Sequence, residues 1–249
     1  MLPFEDTTSL SLLYHLNSEP WENAEAYGNT MYEVDYKEYS DAMGGLPLPV
    51  AEDSALLRLL RVRESCRHYE RRLLPLKKLA ALLAGAYGIA RVDHKILNGL
   101  GMLLRTVPSA GGLFPLEVYV VLQLVECASD GLYHFNVRKH SLESISTGMC
   151  LSDFSSVLYA YPFIENANAL LFLSAVFART QRKYGPRGYR YILLEAGHVA
   201  QNICLLAAAE GLGSLCMGAF SDAQLNRMLG LDGAREATVY AVAVGQRAS

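Results

Sequence analysis

Three groups of residues in this chain have types and spacings that suit chemistry. The first is Arg63-Glu64-Ser65-Cys66-Arg67. In an extended segment, residues two apart face the same way, so Arg63, Ser65 and Arg67 would present two guanidiniums and a hydroxyl to one side. That set suits a phosphate, which arginine binds bidentately; a solvated face at a helix end has the same composition. The second is Pro108-Ser109-Ala110-Gly111-Gly112-Leu113-Phe114-Pro115. Its paired glycines permit positive φ and let the backbone approach a planar ring closely. The spacing is neither a dinucleotide fingerprint nor a Walker A loop, and a plain turn before a strand would read alike. The third is Arg182–Gly213, where a stretch dense in Arg, Lys, Tyr and Gly precedes a long apolar helix. Glu195, His198 and Asn202 recur there at helical spacing. Such a polar stripe, if buried, needs partners, and Gly197 within it fits close approach by a flat ligand or by another backbone.

The elements that must carry these groups follow from periodicity. From about Tyr191, the residues Ile192, Ala196, Val199, Ile203 and Ala207 recur at spacings of three and four, which predicts a helix. Lys183 and Tyr184 fall in the loop before it. Residues 54–63 read as a short amphipathic helix, and Pro75 opens another that ends near Gly88, with a loop holding His94 and Arg105 beyond. Glu117–Val125, Leu132–Val137, Ala169–Phe177 and Thr238–Val244 read as strands, Asp130-Gly131 marks a hairpin turn, and Ser152–Tyr161 and Asp222–Leu229 read as short helices. Helices and strands mix without regular βαβ alternation, so the fold class is α+β. Residues 1–50 differ from the rest: they carry Trp21, five tyrosines and many acids, and end in a Gly/Pro linker. They read as an aromatic arm that wraps the body or a partner subunit, ahead of a main domain at 51–249.

Composition bounds the function. Half of the 249 residues are hydrophobic, enough for a sizeable core, and the net charge of −3 provides no basic field for nucleic acid. The N-terminus lacks the basic start and apolar core of a signal peptide, and no uninterrupted apolar run suggests a membrane span. Five scattered cysteines contain no Cys-x-x-Cys pair, which predicts neither a zinc site nor a disulfide framework. The expectation is a cytoplasmic protein with no metal, no nucleic acid and no membrane partner.

These stretches together resemble the FMN-dependent nitroreductase fold, and within it the SagB-type azoline dehydrogenases of the streptolysin and microcin pathways. Arg63-x-Ser65-x-Arg67 is similar to the family's flavin-phosphate motif, Pro108-Ser109-Ala110-Gly111-Gly112-x-x-Pro115 to its flavin loop, and Tyr191–Asn202 to its central helix. Gly211-x-Gly213 through Phe220 and the last strand complete the pattern, and Tyr14-His15 with Asn17-Ser18 is similar to an N-terminal motif of the subgroup. Lys183-Tyr184 is the sharpest subgroup marker.

The resemblance implies a mainly antiparallel mixed sheet flanked by helices, a homodimer, and FMN as cofactor. It also implies oxidation of a thiazoline or oxazoline ring to the azole, on a peptide or a carrier-bound chain, with a cyclodehydratase or assembly-line protein as partner. Lys183 and Tyr184 would be catalytic. Arg63, Ser65, Arg67, Pro108, Ser109, Ala110, Gly111, Gly112, Glu195, Gly197 and Arg247 would contact the cofactor. An NAD(P)H-dependent nitro or ene reductase, and a scaffold subunit without flavin, are the competing readings.

Overall fold

The structure, a computed structural model, describes residues 4–18, 36–37, 45–94 and 101–248. Six helices are described: α1 (Phe4–Asn17), α2 (Ala55–Val62), α3 (Leu76–Tyr87), α4 (Phe177–Tyr184), α5 (Arg187–Ala209) and α6 (Asp222–Leu229). The strands are β1 (Ile89–Asp93), β2 (Met102–Arg105), β3 (Leu116–Leu122), β4 (Gly131–Asn136), β5 (Ser141–Thr147), β6 (Ala169–Val176), β7 (Leu212–Met217) and β8 (Glu236–Gln246).

Six strands form one sheet in the order β5-β4-β3-β6-β8-β7, every neighbouring pair antiparallel, while β1 and β2 form a separate hairpin. Among the described residues parallel pairing occurs only as isolated bridges, Ser65 with Ser214 and Leu74 with Val125. This is the expected α+β architecture, a mainly antiparallel sheet flanked by helices.

The central strands are apolar on both faces because both faces are covered. Leu171 and Leu173 of β6 point into one core with Leu79, Leu83, Ile192, Val199 and Ile203 of α3 and α5. Their neighbours Leu170 and Phe172 point into a second core with Phe154, Leu158 and Leu225. Among the described residues α5 alone has the length and apolarity of a membrane span. Its inner face is buried in the first core and includes Glu195, as in a core helix.

Several expectations give way to the structure. Lys183 and Tyr184 do not lie in a loop: they end helix α4, and α5 begins four residues before Tyr191, at Arg187. The stretch after Gly88 is the β1–β2 hairpin rather than a loop, and β5 was not expected as a strand. Residues 152–161 form no α-helix but 3-10 turns, because Leu158 leaves a helical path to bridge Phe220. Helix α5 ends at Ala209, and Gly213 belongs to β7.

Of the aromatic arm, residues 4–17 form a helix. Its described side chains dock on α4 and α5: Gln181 Nε2 donates to Ser11 Oγ (2.8 Å), and His15 Nδ1 lies 3.0 Å from Tyr189 Oη with its ring 5.3 Å from that of Phe177. Trp21, Tyr27, Tyr32 and Tyr39 lie outside the described residues, and residues 45–50 are exposed.

Candidate active site

The glycine loop is built around Ser109. Its hydroxyl accepts the Phe114 N–H (2.9 Å) and hydrogen-bonds to Glu195, so one side chain closes the loop and ties it to α5. Glu195 is only 3% exposed, and its second partner is the Tyr87 hydroxyl, which donates to Oε1 (2.9 Å) while accepting the Leu116 N–H (3.2 Å). The Arg105 guanidinium lies over the Tyr87 ring (4.1 Å) and near the Phe114 ring (5.1 Å). Burial raises the Glu195 pKa from its ordinary value, opposed by Ser109, Tyr87 and the Arg105 charge. Glu195 therefore anchors the loop from beneath. Its carboxylate is occupied and does not face an open surface.

The loop's outer side meets α4. Gly111 has φ 64°, and a Cβ there would lie 2.7 Å from Tyr184 Oη and 2.9 Å from Lys183 Nζ. The positive φ favours glycine here, and a Cβ would in addition have to displace the ends of the Lys183 and Tyr184 side chains. Lys183 is exposed and Tyr184 half-buried. The Tyr184 ring packs edge-on against Tyr191 at 5.0 Å, and Lys183 Nζ lies 5.2 Å from the Tyr184 ring centre. The Gly185-Pro186 turn fixes α4 against α5, and the α1 contacts to Gln181 and Tyr189 brace the same turn. Lys183, Tyr184, Pro108, Ser109, Ala110, Gly111 and Gly112 thus sit around one loop. Of the arginines near the pair in sequence, Arg179 is committed elsewhere, to Glu117 at 2.6 Å.

Arg63, Ser65 and Arg67 occupy a different part of the molecule. Their segment is extended and pairs with β7, with the Cys66 N–H donating to Ser214 O (2.8 Å). Cys66 and Tyr69 turn into the core, whereas Ser65 and Arg67 are exposed and Arg63 is half-buried. Glu64 is exposed as well, so burial does not by itself put Arg63, Ser65 and Arg67 on one face. Close approach depends on Gly213, where a Cβ would come within 2.4 Å of Cys66 Sγ. Arg247 lies opposite Tyr69, beside this segment, and ion-pairs with Glu64. The Arg63 charge also reaches Cys204 and Cys216, whose sulfurs are 3.4 Å apart; the hydrogen bond from Cys216 holds the Cys204 thiol below the usual thiol range.

No hydrogen bond, ion pair or ring contact among the described residues joins the Arg63 segment to the Ser109 loop. The first lies beside Cys204 and the second beside Glu195, positions on α5 separated by roughly 14 Å of helix rise. Beside and between these positions α5 exposes Leu194 (54%), Gly197 and His198, and a Cβ on Gly197 would meet nothing within 4 Å among the described residues. Gly197 is not needed for packing within the chain. Sequence reasoning missed Tyr87 and Arg105. Neither has local spacing to betray it, since both act through partners distant in sequence.

The comparisons with known proteins agree with this architecture. The Nitroreductase family model matches residues 60–246. The nitroreductase-like protein MJ1384 of Methanocaldococcus jannaschii is 35% identical over 184 residues, covering 74% of this chain and 88% of that protein. The microcin B17-processing protein McbC of Escherichia coli is 29% identical over 143 residues, covering 53% of this chain but only 50% of McbC. Among solved structures, the E. coli microcin synthetase McbBCD complex with truncated pro-MccB17 superposes with a TM-score of 0.68 at 19% identity, over 98% of this chain and 94% of the matched one. A nitroreductase-type protein of Desulfovibrio desulfuricans in complex with FMN superposes with a TM-score of 0.54 at 17% identity, over 80% and 89%. Those two similarities speak for the fold. The family model spans both the Arg63 segment and the Ser109 loop, and the chain belongs to the nitroreductase family.

Proposed function

We propose that this chain is an FMN-dependent dehydrogenase that oxidises a thiazoline or oxazoline ring, carried on a peptide or a carrier-bound chain, to the azole. The observation that carries the reading is the placement of Lys183 Nζ and Tyr184 Oη in the space that a Cβ on Gly111 would take. Similarity to a microcin-processing protein and to a chain of a microcin synthetase complex favours this reading over a nitro or ene reductase, and supports a cyclodehydratase-type partner.

The residues present fit the cofactor. Arg63, Ser65 and Arg67 supply the residue types of an anion-binding set, Ser65 and Arg67 exposed and Arg63 half-buried. At Gly111 and Gly112 the side-chain-free backbone is met most closely by the movable ends of Lys183, Tyr184 and Met102, which can give way to a flat ring. When bound, the flavin supplies the two-electron acceptor. The chain's own residues do the rest. Arg63, Ser65 and Arg67 hold the phosphate, with Arg247 beside them. The Ser109–Gly112 ribbon orients the ring system, and Glu195 with Tyr87 keeps that ribbon in place. Lys183 or Tyr184 takes the proton that leaves the azoline ring, and a base of that kind must stand within hydrogen-bond reach of it.

The separation of the two residue groups within one chain is resolved by a second copy. The uncovered stripe of α5 at Leu194, Gly197 and His198, with exposed Leu56 and Leu60 on α2, provides the apolar face for a homodimer. In that arrangement the phosphate set of one subunit and the loop of the other complete each site.

Lys183→Ala tests the assignment. The variant retains FMN, seen in its visible absorbance, and loses formation of the product two hydrogens lighter than the azoline, read by mass spectrometry. Normal turnover by the variant overturns the role of Lys183. A protein that never binds FMN overturns the whole reading.

A further inference from the structure

On the other side of Phe114 lies a cavity of about 440 Å³ between the β1–β2 hairpin, the loop, β3, β4 and the start of α4. Its walls combine apolar side chains, among them Leu103, Leu113 and Phe114, with three guanidiniums, Arg105, Arg138 and Arg179. The one carboxylate among its described lining residues is Glu117, which is already shared: Arg179 Nη2 lies 2.6 Å and His134 Nε2 2.9 Å from its two oxygens. Arg105 is held flat by Tyr87 and Phe114, and its buried Nη1 has no hydrogen-bond partner. The carboxylate behind Tyr87, Glu195, is taken by Tyr87 and Ser109. Arg138 is exposed at the rim. The Arg105 Nη1 is closed off from solvent, so the half-buried Arg105 faces the cavity with the rest of its guanidinium, whose natural complement is an oxyanion.

We propose that this cavity is a binding site for an organic anion with an apolar body and a carboxylate head, the head received by Arg105 and Arg138. The volume falls within the range of small-molecule sites. A pre-oriented guanidinium matches a carboxylate bidentately, and the leucine and phenylalanine wall excludes a purely inorganic ion as the best ligand. The site makes no use of the Arg63 segment, so it stands whether or not the chain uses flavin.

The test is calorimetric titration of the full chain with 2-naphthoate, with its neutral amide 2-naphthamide, and with inorganic phosphate. Saturable binding of naphthoate is expected, with the amide and phosphate each about tenfold weaker or worse. Arg105→Gln weakens naphthoate about tenfold and Arg138→Gln about threefold, in keeping with charge-assisted hydrogen bonds to one head group. Equal binding of naphthoate and naphthamide overturns the anion assignment, and phosphate binding as tightly as naphthoate overturns the apolar-body assignment. Should Arg105→Gln fail to fold for want of its ring stacking, Arg138→Gln at the rim decides: unchanged naphthoate affinity in that variant overturns the site.

Discussion

Removing one hydroxyl, in Tyr87→Phe, isolates the anchor beneath the glycine loop. The hydroxyl donates to the buried Glu195 carboxylate at 2.9 Å and accepts the Leu116 N–H at 3.2 Å, so its loss leaves one charged acceptor short and one backbone donor orphaned. A hydrogen bond to a charged group contributes about 1.5–3 kcal/mol, and an orphaned buried group costs about 1–3 kcal/mol, so a loss of about 3 kcal/mol is expected at pH 7.5. For a chain of this length each kcal/mol moves Tm by roughly 2–4 °C. The loss must also depend on pH. Burial holds the Glu195 pKa above its ordinary 4.5 in the folded chain, so ionised Glu195 opposes folding, and that opposition fades as pH falls through the folded pKa and is gone below 4.5. Without the Tyr87 hydroxyl the folded pKa rises further, and the penalty at neutral pH grows. Urea denaturation of both proteins at pH 7.5 and pH 4.5 should therefore show a destabilisation at least about 1 kcal/mol larger at the higher pH. An equal loss at the two pH values, or a loss under about 0.5 kcal/mol at pH 7.5, refutes the account of the anchor.

Other perturbations reach neighbouring parts of the site. Gly111→Ala should weaken FMN binding and destabilise the chain by about 1–3 kcal/mol through its strained backbone, since its φ of 64° disfavours a Cβ that would also sit 2.7 Å from Tyr184 Oη; thermal melts with and without FMN measure both effects. The hydrogen bond to Glu117 raises the His134 pKa from 6.5, so its contribution to stability is full below pH 6.5 and is lost as pH rises through the folded value. Although burial pushes Glu117 up, His134 and Arg179 hold its carboxyl below the usual range. Glu117→Gln should flatten the fall in Tm between pH 6 and pH 8; an undiminished fall places its origin elsewhere.

The parts of the fold legible in the sequence are those where burial writes a pattern. β3, β6 and β8 run as apolar stretches because cores press on both faces, and α3 and α5 show helical spacing because one face packs on the sheet. Helix α4, with the sequence FARTQRKY, was hidden because only Phe177 and Thr180 are buried; Arg179 to Glu117 and Gln181 to α1 tie it to its neighbours. Strand β5 is a half-exposed sheet edge with no alternation to read, and the β1 residues are nearly all exposed. Residues 151–158 mislead in the opposite sense: Leu151, Phe154, Val157 and Leu158 carry helical spacing, yet the backbone turns in 3-10 steps to deliver them to the second core.

The candidate site divides in the same way. The loop glycines and the extended Arg63–Arg67 segment were suggested by residue type and spacing, whereas Lys183 and Tyr184 stood out only through the family resemblance. The inward role of Glu195 and the Tyr87–Arg105 stack were not, because each depends on contacts made across the fold. Nor does the sequence show that the two residue groups lie apart on α5.

That separation allows a direct test of whether two copies of the chain share the flavin. Arg63→Ala/Arg67→Ala damages the phosphate set, and Gly111→Asp damages the loop. Each variant alone should stay colourless with added FMN, while the wild type binds it. Mixed by co-expression, the two variants should recover flavin absorbance, because one site of each heterodimer then draws both halves from undamaged segments. A mixture that remains colourless, or a wild-type protein that takes up no FMN, contradicts the account.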